Sequence, residues 1–84
     1  MPALTELSKL QHTLADGTRL LPLELVFIEL LRQRRSDAYI RGCLNMSQGL
    51  LLRLSAGVRR KLGVALTSTI RAAANRHGIP RLDI

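Results

Sequence analysis

Residues 46–64 read MSQGLLLRLSAGVRRKLGV, and this stretch decides how the rest of the chain is read. It carries the signals of one long helix. Ser47 is placed to cap the N-terminus by offering its hydroxyl to a free backbone N–H. Leu51, Leu54, Val58 and Leu62 recur at spacings of three and four, which sets them on one side of a helix. Gly63 supplies the stop, because glycine takes the left-handed conformation that ends helices. The opposite side holds Leu52, Arg53, Ala56 and Arg60, flanked by Arg59 and Lys61. A helix buried on one side and basic on the other suits a DNA groove. An ordinary core helix with a solvated charged face has the same pattern, so the surrounding chain has to decide.

Eighty-four residues make one small domain. The chain is 46% hydrophobic and only 2% aromatic, so its core must be aliphatic, which suits packed helices. Thirteen Lys and Arg against six Asp and Glu give a net charge of +7, and eleven of the thirteen are Arg. Such a balance points to a polyanionic partner. Arginine favours bidentate contact with phosphates and guanine edges. Cys43 is the only cysteine, so no internal disulfide forms and no Cys/His cluster has zinc-ligand spacing. With no signal peptide and no apolar run of the roughly 20 residues that cross a bilayer, a cytoplasmic protein is expected.

Before the central stretch, Leu4, Leu7, Leu10 and Leu14 predict a short amphipathic helix over 3–14, with Thr5 as its cap and Asp16-Gly17 as the following turn. His12 is a surface residue on it. A second helix is expected over 22–34. Pro22 and Glu24 lie in its first turn, and Phe27, Leu30 and Leu31 form its buried stripe, widened by Leu23, Val26 and Ile28. Arg32, Arg34 and Arg35 end it as a basic cluster, serving either the helix dipole or a phosphate. A third helix over 36–43, capped by Ser36, turns at Leu44-Asn45-Met46 into the helix that Ser47 opens. A short helix, a tight turn and a longer basic helix make a helix-turn-helix arrangement. A last helix is expected over 67–77, capped by Thr67 or Ser68 and stopped by Gly78 and Pro80. Its Ala72, Ala73 and Ala74 serve either its own core or a dimer contact, and His77 complements the dipole at its end.

This order of signals resembles the LuxR/NarL-type (GerE-like) helix-turn-helix domain of bacterial transcription regulators, without a gap from about Leu21 to Ile79. Leu21-Pro22-Leu23-Glu24 and Phe27 to Leu31 stand for the family's opening. Ser36, Asp37 and Ile40 stand in its pre-turn segment, and Leu44-Asn45-Met46-Ser47 followed by Leu50-Leu51 in its turn. Val58, Lys61, Leu62, Gly63 and Val64 match its recognition-helix ending, and Gly78-Ile79 its close. The resemblance implies an all-α fold: a four-helix domain over 21–84, preceded over 1–20 by the extra helix and a linker. It implies a recognition helix over 47–62 in the major groove of double-stranded DNA. Leu52, Arg53 and Ala56 fall at groove-contact positions, and Lys61 at a phosphate contact. Arg59, Arg60, Arg41, Arg35 and Ser47 complete the expected DNA contacts. It further implies a homodimer paired through the last helix, for which Ile70, Ala73, Ala74 and His77 are the candidates.

The chain departs from the family at contact positions. Leu50, Leu52 and Leu54 stand where Thr, Lys and His are usual. Ala38-Tyr39 replaces a Lys-Glu pair, and Arg41 replaces the small Ala between the two motif helices, with Gly42 beside it to relieve the crowding. Gly49 and Gly57 lie inside the recognition helix. Exposed leucines there either touch thymine methyls or bind another protein. Two functions follow: a sequence-specific DNA-binding regulator, or an antiactivator or co-regulator that binds another transcription regulator on the same fold. No spacing sets a nucleophile beside a base, and no glycine-rich loop cradles a phosphate, so no enzyme, cofactor, metal, small-molecule substrate or membrane partner is expected.

Overall fold

A computed structural model describes residues 11–84. Four helices follow a short hairpin: β1 (His12–Thr13), β2 (Arg19–Leu20), α1 (Pro22–Arg32), α2 (Asp37–Leu44), α3 (Gln48–Leu62) and α4 (Ile70–Arg76). One 3-10 turn, Thr67–Thr69, leads into α4. The fold is small and mostly helical, as the aliphatic composition requires.

The hairpin corrects the expectation for residues 11–14. His12 and Thr13 pair antiparallel with Leu20 and Arg19 rather than ending a helix; the rest of the expected first helix lies outside the described residues. The turn between the strands is the one Asp16-Gly17 announces. The Asp16 carboxylate accepts the Thr18 N–H at 2.8 Å, and Gly17 takes a positive φ of 91°. The hydrogen bond from the Thr18 N–H holds the Asp16 carboxyl below its ordinary value. Leu14 and Leu20 are buried in the common core, so residues 11–20 are part of the domain and not a linker ahead of it.

α1 is buried almost all round from Glu24 to Leu30, more than a single stripe would be. Its neighbours explain this: it packs against both α2 and α4, and the C-terminal segment is tied to it. Leu23, expected inside, is exposed. The helix ends two residues earlier than expected, at Arg32. Arg34 then adopts a left-handed φ of 60°, and the Arg35 N–H closes the end on the Leu30 carbonyl at 3.1 Å.

α2 begins at Ser36, whose hydroxyl accepts the Tyr39 N–H at 3.1 Å, and ends at Asn45 in the left-handed region. Two residues later Ser47 accepts the Leu50 N–H at 3.2 Å and starts α3. α3 stops at Gly63, φ 71°. Its inner side is Leu51, Ser55, Val58 and Leu62, with Leu54 half-buried at the edge. Ser55 is the polar member; its hydroxyl pairs with that of Thr67 at 2.8 Å, across the loop leading to α4. Thr67 therefore does not cap α4, and no side chain does.

α4 packs against α1 and α3. Ile70, Ala73 and Ala74 are its fully buried face. Small residues let the neighbouring helices close on it without voids.

Candidate nucleic-acid interface

The outer side of α3 is the surface the sequence singles out. Its shape comes from two caps and a connection: Asn45 turns the chain, Ser47 starts the helix, and the buried side fixes its rotation. What remains outside is Gln48, Gly49, Leu50, Leu52, Arg53 and Arg60, with Ala56 half-buried. Leu52 is 61% exposed and Leu50 51%, comparable with Leu66 at 60% and Leu21 at 52% elsewhere on the domain. Arg53 and Arg60 are exposed and form no ion pair among the described residues.

The other expected contact residues divide by what they touch. Lys61 donates to the Glu24 carboxylate at 2.7 Å and to the Arg19 carbonyl at 3.0 Å, tying α3 to α1 and the hairpin. Glu24 also accepts the Leu21 N–H at 2.8 Å, so one carboxylate caps α1 and anchors α3. Arg59 donates to the Ala65 carbonyl at 3.0 Å and holds the chain after the helix stop. These two cations brace the fold and do not stand free for phosphate. Ser47 is exposed, and its hydroxyl is the helix cap. Arg41 is partly buried, and its Nε has no hydrogen-bond partner. Gly42 is exposed with open space beside it, so it relieves no crowding at Arg41.

The basic cluster after α1 also divides. Arg32 donates to the carbonyls of Ile79 at 2.8 Å and Pro80 at 3.1 Å and to the Asn75 side chain at 3.2 Å, closing the end of α4. Arg35 lies over the Tyr39 ring at 4.6 Å, a cation–π contact on the surface. Arg34 is exposed.

Of the four residues expected at a dimer contact, Ile70, Ala73 and Ala74 are fully buried within the single chain, so they are core residues and not contact residues. His77 is exposed.

Two groups of interactions carry no signal in the spacing of the sequence. Glu29 is 1% exposed. It accepts two hydrogen bonds from Arg81 at 2.9 Å each, the Leu82 N–H at 2.9 Å and the Gln33 amide at 3.1 Å. Burial alone would push its carboxyl up; the donors and the Arg81 charge reverse this and hold it at about 2. The second group is a basic concavity between the end of α1 and α4, lined by Arg32, Arg34, Arg71 and Arg81 with Ser68 and Asn75. Among the described residues no carboxylate lines it.

The described residues hold no group of three or more His, Cys, Asp or Glu arranged for a metal. No helix among them is long and apolar enough to cross a membrane. No family model, no curated protein and no solved structure matches the chain.

Proposed function

We propose that the protein is a helix-turn-helix DNA-binding regulator of the LuxR/NarL-like kind, acting in the bacterial cytoplasm. In this reading α2, the Asn45–Ser47 connection and α3 are the motif, and α3 enters the major groove. One observation carries it: Arg53 and Arg60 stand exposed, with no ion pair among the described residues, on the outer side of a capped 15-residue helix in a chain of net charge +7. Arg53 reads a base edge, guanine being the natural partner of a bidentate guanidinium. Leu52 and Ala56 pack on thymine methyls. Arg60, Arg41 and Arg35 meet phosphates, while Arg59 and Lys61 keep α3 in register. A homodimer formed through α4 would use its outer residues Ala72, Arg76 and His77, since the inner ones belong to the core.

The test is a binding selection on random duplex DNA at two salt concentrations, followed by Arg53→Ala on the selected site. The variant is expected to lose about 1–3 kcal/mol of specific binding while its non-specific binding changes little. Unchanged affinity for the selected site would refute the assignment of Arg53.

A second reading is favoured by Leu50 and Leu52. Leu52 lines a groove of about 250 Å³ together with Phe27, Leu31, Leu51 and Ser55, and Leu50 is exposed. Here α3 binds another transcription regulator, and an apolar side chain of that partner fills the groove. Saturable binding to such a regulator, abolished by Leu52→Lys and accompanied by no salt-sensitive DNA binding, would establish this reading in place of the first.

A further inference from the structure

We propose that the concavity between the end of α1 and α4 is a binding site for a phosphoryl group, anchored by Arg34 and Arg71. The inference does not rest on the reading of α3.

Four arginines line the depression, about 400 Å³ in volume, with the Ser68 hydroxyl and the Asn75 amide as neutral donors. A second depression of about 240 Å³ adjoins it and shares Arg34, Ser68 and Arg71; Arg35 and Thr67 lie on its other wall. Among the described residues no acidic side chain lines either one. Two of the arginines are engaged by the fold: Arg32 holds the carbonyls that end α4, and Arg81 is paired with Glu29. Even so, the Nε of Arg32 is buried without a partner. Burial, followed by the neighbouring Arg81 charge, presses the Arg32 guanidinium below its ordinary pKa, with Glu29 opposing. The positive potential there is therefore only partly neutralised from within. Arg34 and Arg71 have no hydrogen bond or ion pair from their side chains among the described residues and are free to bind.

The backbone at Arg34 is the second, independent observation. It occupies the left-handed residue after a helix end, φ 60°, where glycine is favoured and an L side chain is strained. An arginine there costs stability, and strain of this kind collects at functional positions. The residue it places on the concavity wall is a guanidinium, the side chain best shaped for bidentate phosphate contact. Several guanidinium groups with hydroxyl and amide donors match the oxygens of a phosphoryl group, whether free or in a nucleic-acid backbone.

The experiment follows the arginine Nε–Hε NMR signals of the whole chain during titration with pyrophosphate, and separately with a short random duplex. It is repeated in Arg34→Gly and Arg71→Gln. Arg34→Gly removes the guanidinium and relieves the left-handed backbone, so the variant folds at least as well as the parent. Saturable shifts at Arg34 and Arg71 with pyrophosphate, weakened about tenfold or more in both variants, identify a site for a free phosphorylated ligand. The same shifts with duplex alone assign the site to backbone phosphates. Shifts no larger at Arg34 and Arg71 than at Arg76, or an affinity in both variants equal to that of the parent, overturn the proposal. Arg53→Ala separates the two readings. Duplex binding lost in Arg53→Ala but kept in Arg34→Gly, with no pyrophosphate effect, refutes this site and leaves the α3 reading standing; the converse refutes α3 alone.

Discussion

Glu29→Gln tests whether one buried carboxylate holds the C-terminal segment to the domain. Glu29 sits in the middle of α1, 1% exposed, and faces donors from Arg81, Leu82 and Gln33. Its carboxyl is held at about 2, against an ordinary 4.5. Each pH unit of that gap is worth about 1.4 kcal/mol, so the ionised form contributes about 3 kcal/mol to stability. The sign is that of a depressed carboxylate. The contribution is fully present above pH 4.5 and is lost as the pH falls toward 2. A domain of this size has roughly 4–13 kcal/mol in total, so the loss is a large share.

At neutral pH, Glu29→Gln removes the charge and turns an amide donor toward the arginine donors. It should lower the melting temperature by roughly 12–24 °C, at about 4–8 °C per kcal/mol for a domain of this length. The assay is thermal unfolding by circular dichroism for both proteins across pH 7 to 2. The two curves should converge near the acid end, because the parent protein loses there what the variant already lacks. Other carboxylates titrate in both proteins and cancel in the difference. Hydrogen exchange adds a local readout: the Leu82 amide, bound to Glu29 at 2.9 Å, should lose protection in the variant. A melting difference that stays constant from pH 7 to 2 would refute the reasoning, since the Glu29 charge would then contribute nothing.

Four further substitutions test other parts of the fold. Ser47→Ala should cost about 1 kcal/mol by freeing the Leu50 N–H at the start of α3, measured by urea unfolding. Gly42→Ala, within α2, and Gly49→Ala, in the first turn of α3, should each add about 0.5–1 kcal/mol, because both are exposed helical positions with room for a methyl group; destabilisation by either would mean the local packing is misassigned. Ser55→Ala should cost about 1 kcal/mol by breaking the hydroxyl pair with Thr67, and a neutral result would show that water replaces the bond.

The two motif helices were legible because both announce their ends. Ser36 and Ser47 both cap, Asn45 and Gly63 both turn left-handed, and the Leu51–Val58–Leu62 stripe is buried. The hairpin was not legible. Its strands are two residues long, too short for an alternating pattern, and Leu14 continues the helical spacing of Leu4, Leu7 and Leu10. Its burial in fact comes from the turn, where its N–H binds the Thr18 carbonyl at 2.7 Å. The site was legible in composition but not in assignment. Spacing shows where a cation lies on a helix and not which oxygen it meets. Lys61 finds Glu24 and Arg81 finds Glu29 from 37 and 52 positions away, and no local pattern encodes such pairs.

That partition of charge leads to a measurement that separates all the readings. Thirteen basic side chains suggest strong electrostatics, yet Lys61, Arg59, Arg32 and Arg81 are engaged within the fold. On α3 only Arg53 and Arg60 remain free, so DNA held by that helix alone should show a log–log salt slope of roughly −2 per subunit. If the backbone also crosses Arg34, Arg35, Arg41 and Arg71, six cations take part and the slope steepens to roughly −5. The two depressions support such a path, since Thr67 and Leu31 line both the groove beside Leu52 and the wall carrying Arg34 and Arg71. Arg34→Gly should then reduce the slope by about one while leaving base preference intact, the mark of a phosphate contact. Arg53→Ala should relax base preference. A slope near zero, with Leu52→Lys creating DNA affinity where none existed, would instead mean that α3 docks on protein and that its exposed leucines are the contact surface.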